Sequence, residues 1–337
     1  MNIQPQIPLG VTAAGPLGAT APNDVSVSFE FFPPRNPEAG EQFWRTLRRL
    51  EPLAPRFASV TCGALGSSQA TTRETIFRMR RASSLEPAAH MTCVGSSRAE
   101  IEELAAAYWD AGIRHIVAIR GDPPVGDPSG SAGGFQPPLD GIARSADLVA
   151  CLKRVADFDI SVAAFPEAHP EALSAAADLD NLKRKFDAGA TRAITQFFFD
   201  VPLYLDFVER ARKAGITQEI VPGILPVTNF TQMALFAKRC GTSVPDWLAR
   251  LFDGLDSDPG TRELVAATVA AGQCTSLKAE GIKSFHFFTL NRSNLTLAVC
   301  RLLGLHGKPP ADPLPLTSGI AIENGARAVL EVLRARQ

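Results

Sequence analysis

From residue 25 onward the chain alternates short β-rich runs with longer helical patterns, and this alternation limits the fold more than any single motif. The runs are "VSVSFEFF" (25–32), "FASVTCG" (57–63), "PAAHMTC" (87–93), "HIVAIRGD" (115–122), "SVAAFPE" (161–167), "RAITQFFF" (192–199), "EIVPGILP" (219–226) and "SFHFFTLN" (284–291). Each is followed by a helix-length segment, the pattern of βα units that build a parallel sheet. Helix boundaries carry their own chemistry. Ser97 with Glu100 makes a capping-box pattern, and Asp258 before Pro259 an N-cap with proline in the first turn. Gly112, Gly189, Gly215 and Gly281 stand shortly before the next run, where a helix end calls for a left-handed residue. About eight such units predict an α/β chain with a single closed (β/α)8 TIM barrel over 25–305. A doubly wound sheet is the alternative, but no G-x-G-x-x-G follows the first run and no G-x-x-x-x-G-K-[ST] occurs.

Residues 1–24 lack the basic and apolar regions of a signal peptide and read as a flexible tail. After the fourth run, "PPVGDPSGSAGGFQPPLDG" reads as a long mobile loop, and 306–337 as a C-terminal extension with a helix near 320–335. With 45% hydrophobic and 20% charged residues, the 337-residue chain can bury a full core. A net charge of −1 gives no electrostatic reason to expect nucleic acid or an anionic membrane, and no apolar run is long enough to cross a bilayer. Small molecules are the expected partners. Six cysteines without a C-x-x-C pair fit reduced thiols in the cytosol, and five histidines without H-E-x-x-H spacing argue against a metal.

A barrel of this class holds its active site at the C-terminal ends of its strands. There the sequence places Glu30, Thr61, His90, Arg120 with Asp122, Glu167 with His169, Gln196, and Asn291 with Arg292. Any one of these could be a cap or an ion pair; as a set on one face they point to a site. Glu30 is the sharpest case, a carboxylate inside "VSFEFFPPR". One reading makes it a structural partner of Arg120 or Arg292 across the barrel. The other makes it an acid whose pKa is raised by Phe29, Phe31 and Phe32. Asp122, between Gly121 and two prolines, sits in a turn that presents it to the barrel mouth.

Asp178, Asn181 and Lys185 share one helix face, which spacing alone reads as solvated. Phe197, Phe198 and Phe199 point alternately in and out, so at least one packs against helices. Gln232 and Phe236, four apart, read first as part of an amphipathic stripe and second as a ligand-stacking pair.

Taken in order, "SFEFFPPR", "SVTCGA", "AAHMTC", "GIRHIVAIRGD", "DISVAAFPEAHPEA", "NLKRKFDAGATRAITQFFFD", "PGILPVTNF" and "FHFFTLNR" resemble the pattern of the bacterial methylenetetrahydrofolate reductases. The resemblance runs from about residue 25 to 305, leaving out much of the 123–143 loop. It implies a barrel with FAD across its C-terminal face, and reduction of 5,10-methylenetetrahydrofolate to 5-methyltetrahydrofolate by ping-pong hydride transfer, supplying methyl groups for methionine synthesis. NADH is the expected donor and NADPH the less favoured one. The likeness also implies a cytoplasmic homo-oligomer. By the same analogy Glu30 is the general acid toward folate nitrogen 10, and Asp122 a fixed negative charge near flavin and pterin. Flavin-contacting positions fall on Thr61, Cys62, Ala64, His90, Arg120, Gly121, Asp122, Phe165, His169, Asp178, Asn181 and Lys185, with Arg120 and Lys185 suited to the pyrophosphate. Folate and nicotinamide positions fall on Gln196, Gln232, Phe236 and Arg292.

This chain departs from the family pattern where an aromatic residue is replaced by Cys62 and a tyrosine by Phe165, losing stacking area and a hydroxyl. Two rival readings of the residues stand beside the first: a folate or pterin barrel that transfers a one-carbon group without flavin, and a non-enzymatic binding barrel.

Overall fold

The computed structural model describes residues 24–62, 69–121 and 140–307. Ala64, Asp122, the N-terminal tail and the helix expected near 320–335 lie outside the described residues. Eight strands run in chain order around a closed barrel, every neighbouring pair parallel: β1 (Ser26–Phe31), β2 (Ala58–Val60), β3 (Pro87–Thr92), β4 (His115–Ile119), β5 (Asp159–Ala164), β6 (Arg192–Phe197), β7 (Glu219–Ile224) and β8 (Ser284–Phe288). The doubly wound alternative is thereby excluded, since β1 pairs with both β2 and β8. Between and after the strands lie α1 (Pro37–Leu50), α2 (Gln69–Ala82), α3 (Arg98–Asp110), α4 (Ser145–Val155), α5 (Ala175–Asp187), α6 (Val201–Lys213), α7 (Phe230–Cys240), α8 (Asp246–Phe252), α9 (Pro259–Ala279) and α10 (Asn294–Leu302). None of these helices is long and apolar enough to cross a membrane.

The expected boundaries hold at atomic level. Ser97 Oγ accepts the Glu100 amide while the Glu100 carboxylate accepts the Ser97 amide, and Asp258 caps α9 through the Thr261 amide. The four helix-end glycines all take positive φ.

Side chains of a strand alternate between the two faces, so each strand serves two cores. One core lies between strands and helices, where Phe29, Phe31, Phe285 and Phe287 are buried. The other fills the barrel itself and is small: Phe57, Ala88, Val117 and Ile194, with Ile119 packed against them. Below this layer, at the N-terminal ends of the strands, charges close the barrel. Arg192 on β6 is buried and makes a two-pronged contact with Asp159 on β5 at 2.7 and 2.6 Å, and it donates to Ser161 Oγ at 3.1 Å. His115 Nδ1 lies 3.0 Å from the same carboxylate, and Thr191 donates to it. The pairing holds the Asp159 carboxyl far below the ordinary carboxylate range, against the cost of burial. With the lower end sealed by ion pairs and the waist by apolar side chains, only the upper end is left for chemistry.

Candidate active site

Alternation along β1 carries Ser28 and Glu30 inward and sends Phe29 and Phe31 outward into the helix layer, where Phe31 meets Phe43 of α1 edge-on at 5.4 Å. Phe29 and Phe31 therefore do not wall the carboxylate, contrary to the expectation that they raise its pKa. Two imidazoles do. Glu30 Oε2 lies 3.4 Å from His90 Nε2 on β3 and 3.8 Å from His286 Nε2 on β8. The structural alternative fails as well, because Arg120 pairs with Glu171 at 2.6 Å and Arg292 is exposed at the rim.

Burial opposes ionisation of Glu30, but the hydrogen-bonding imidazole of His286 and the electrostatic attraction of the two rings outweigh it, so the carboxyl lies below its ordinary value. The expectation of a raised pKa is thus corrected for the open site. Burial pushes His90 the other way, down to about 4, against the attraction of Glu30. The His90 ring is consequently neutral at pH 7. The backbone of Glu30 is clamped too: its carbonyl accepts the Thr289 hydroxyl at 2.6 Å, and the Asn291 side chain bridges both backbone groups of Phe32 at 2.9 Å. Asn291 is thus a structural latch between the ends of β1 and β8.

The other side chains expected at the site divide by position. Lys185 of α5 is buried with 5% of its surface exposed and donates to the Ala163 carbonyl at 2.8 Å, so the solvated-face reading of its helix fails. Burial lowers its pKa to about 8, with Asp178 acting in the opposite direction. Asp178 accepts the His169 amide at 3.0 Å, Asn181 is half-buried beside it on α5, and the His169 ring meets Phe165 edge-on at 4.6 Å. Arg120 reaches the same corner through its pair with Glu171. Gly121 follows at φ +87°, with room for no Cβ: one would lie 3.0 Å from the side chains of Thr92 and Val94. Thr61 directly follows β2, its hydroxyl buried and without a hydrogen-bond partner, and Cys62 stands over a narrow pocket that it lines with Thr72, His90, Thr92 and Tyr108.

On the opposite side of the mouth, Gln196 is half-buried and its Oε1 accepts the Phe197 amide at 3.0 Å. Phe236 stacks on Phe197 at 5.5 Å yet keeps 48% of its surface exposed, and Gln232 is exposed beside it. The buried stripe of α7 is instead Met233 and Ala237, so the amphipathic-stripe reading of Gln232 and Phe236 is also overturned. Phe197, Phe198 and Phe199 are all buried, Phe198 stacking on Tyr204 at 5.0 Å. Glu167, named with the strand ends, accepts the Ser243 amide with both oxygens and serves the α7–α8 connection.

Among the described residues, this mouth has three buried polar atoms without hydrogen-bond partners, Thr61 Oγ1, His90 Nε2 and His286 Nε2, and a buried cation at Lys185. Such a set suits a ligand that both accepts and donates hydrogen bonds and carries negative charge. The methylenetetrahydrofolate reductase family model matches residues 18–304. This chain belongs to that family. It is 50% identical over 287 residues to the 5,10-methylenetetrahydrofolate reductase of Escherichia coli, covering 85% of this chain and 93% of the relative. The enzyme of the same name from Pectobacterium carotovorum is 51% identical over 281 residues, 83% of this chain and 91% of that one. Among solved structures, an uncharacterised Clostridium thermocellum protein that binds two copies of 5-methyl-5,6,7,8-tetrahydrofolic acid superposes with a TM-score of 0.57 at 14% identity, covering 83% and 94% of the two chains; this likeness shows a shared fold.

For a methylenetetrahydrofolate reductase, the residue that sequence reading passed over is His286. Its signal was present in the Phe-His-Phe alternation of β8, which puts the imidazole inside the barrel.

Proposed function

We propose that this reductase uses FAD to pass electrons from NADH, or less readily NADPH, to 5,10-methylenetetrahydrofolate, giving 5-methyltetrahydrofolate by a ping-pong cycle. One observation carries the reading: a carboxylate held between two imidazoles at the open end of the barrel, in a chain half identical to enzymes named for this reaction. The residues suit FAD, since the unpaired Thr61 hydroxyl and His90 nitrogen offer hydrogen bonds and Lys185 a buried positive charge. When bound, FAD accepts a hydride from the nicotinamide and yields it to the folate.

The protein's part is to bind, orient and move a proton. Lys185 and Arg120 would neutralise the pyrophosphate, with Asp178, Asn181, His169, Phe165, Gly121, Cys62 and Ala64 around the cofactor. Gln196 would hold the folate, while Gln232, Phe236 and Arg292 form the rim where nicotinamide and folate take turns. Glu30 would protonate nitrogen 10, opening the imidazolidine ring to a cationic iminium ready for hydride, and Asp122 would face that cation as a fixed negative charge.

The test is direct. Purified protein is expected to be yellow, to bleach with NADH under anaerobic conditions and to regain its colour with methylenetetrahydrofolate. A colourless protein that binds folate would instead support one-carbon transfer without flavin.

A further inference from the structure

The guanidinium that suits a pyrophosphate, that of Arg120, already holds an anion of the chain's own. Its Nη1 and Nη2 donate to the two carboxylate oxygens of Glu171 at 2.6 and 3.2 Å, a two-pronged contact. The hydrogen bond from Arg120 draws the Glu171 carboxyl below its ordinary range, so it is ionised at pH 7. The backbone beneath that carboxylate is fixed. The Glu171 amide donates to His169 Nδ1 at 3.1 Å, the Ala172 amide to the His169 carbonyl at 2.8 Å, and the His169 amide to Asp178 at 3.0 Å. The carboxylate itself stands in water, with 58% of the side chain exposed.

We propose that Glu171 is a built-in competitor for the cofactor: its carboxylate holds Arg120 in place before FAD binds, and it swings into solvent when the guanidinium passes to the pyrophosphate. Glu171 thereby sets how tightly the cofactor is held and takes no part in the chemistry. The inference rests on the reading of this corner as the FAD site.

The charges match only after the swing. A pyrophosphate bridge carries a negative charge on each phosphate, and Arg120 and Lys185 offer a matching pair of cations; with Glu171 in place, one of that pair is already neutralised. Asp178 does not play the same part, because its carboxylate is engaged by the His169 amide. His169 adds no charge. Burial lowers its pKa below the ordinary value, and its Nδ1 accepts the Glu171 amide, which leaves the ring proton on Nε2 as a neutral donor. The swing costs little, since an exposed ion pair is worth little against water and rotation of one side chain leaves the bonded loop backbone untouched. The pair at the lower end of the barrel shows the contrast. There Arg192 has 3% of its side chain exposed against 27% for Arg120, and a buried arginine cannot give up its carboxylate without stranding its own charge.

The experiment compares affinities. Flavin-free protein is titrated with FAD and with riboflavin, which has the same ring system and no phosphate, at low and high ionic strength, and binding is followed by flavin fluorescence. Glu171→Gln removes the charge and keeps an oxygen that can still accept from Arg120. It is expected to bind FAD roughly two- to fivefold more tightly than wild type at low salt, the range of an exposed ion pair, and to release it correspondingly more slowly on dilution. That advantage should shrink at high salt, and riboflavin should bind both proteins alike. Unchanged FAD affinity in Glu171→Gln would overturn the proposal. Weaker affinity would overturn it as well, by showing that the carboxylate orients Arg120 for the ligand, and so would an equal gain for riboflavin, because the pyrophosphate would then have no part in it. The two readings fail separately: wild type that binds no FAD would sink the flavin reading and this inference with it, whereas FAD bound equally by both proteins would sink only the competitor.

Discussion

Glu30 Oε2 lies 3.4 Å from His90 Nε2, a half-buried carboxylate facing an imidazole that stays neutral at pH 7. In the proposed cycle the first half-reaction, from NADH, delivers no proton to a folate nitrogen, and the second does. Glu30→Gln should therefore keep its flavin and bleach with NADH at close to the wild-type rate. Its reoxidation by methylenetetrahydrofolate should fall by about 10²- to 10⁴-fold, the usual cost of a lost general acid. Equal slowing of both halves in stopped-flow traces would return Glu30 to a structural role.

His90 also sets an acid limit on the flavin-free protein. Its folded pKa of about 4 lies below the ordinary 6.5, so between these values the unfolded chain binds a proton that the native one refuses. Stability is then intact above about pH 6.5 and is lost as pH falls toward 4. In His90→Gln that component should disappear, and urea midpoints at pH 7 and pH 5 should differ less than in wild type.

Lys185 gives the opposite end of the scale. Burial holds it near 8, against 10.5 for an ordinary lysine, so the flavin-free protein should gain stability as pH rises from about 8 to about 10.5. Lys185→Met should flatten that rise in denaturant titrations. The same variant should bind FAD roughly ten- to a hundredfold more weakly, as expected for about 1.5 to 3 kcal/mol of lost charge-assisted contact. Unaltered retention would remove Lys185 from the cofactor site.

At the far end of the barrel, Asp159→Asn leaves Arg192 buried with Ser161 as its remaining partner inside the strands. Breaking such a pair from one side costs about 3 to 5 kcal/mol. The expected result is a large drop in the urea midpoint with the flavin spectrum unchanged wherever the protein is folded. A shift below about 1 kcal/mol would mean that water has replaced the carboxylate.

Phe165 stands against His169 at the proposed cofactor corner without a hydroxyl to offer. Phe165→Tyr should slow flavin loss on dilution, which fluorescence of the released flavin reports directly. Loss at the wild-type rate or faster would show that the corner already satisfies its ligand.

The sequence by itself determined the barrel, because its evidence is local. Strand and helix periods, the Ser97 capping box, the Asp258 cap and the helix-end glycines act within a few residues, and all of them appear where the sequence puts them. It also determined which strand ends are polar. What it could not determine was which of those polar ends meet, since that depends on contacts made between strands hundreds of residues apart. Glu30 has Phe neighbours in sequence and histidine neighbours in space, because strand alternation turns Phe29 and Phe31 away and barrel closure brings β8 against β1, 258 residues from Ser28 to His286. Lys185 shows the same limit from the other side: its spacing describes a helix face, and only packing of that helix on β5 makes the face a buried one. Ionisation follows burial and through-space charge, which chain order does not encode, so the pKa of Glu30 and the partner that sets it were decided by the tertiary structure alone.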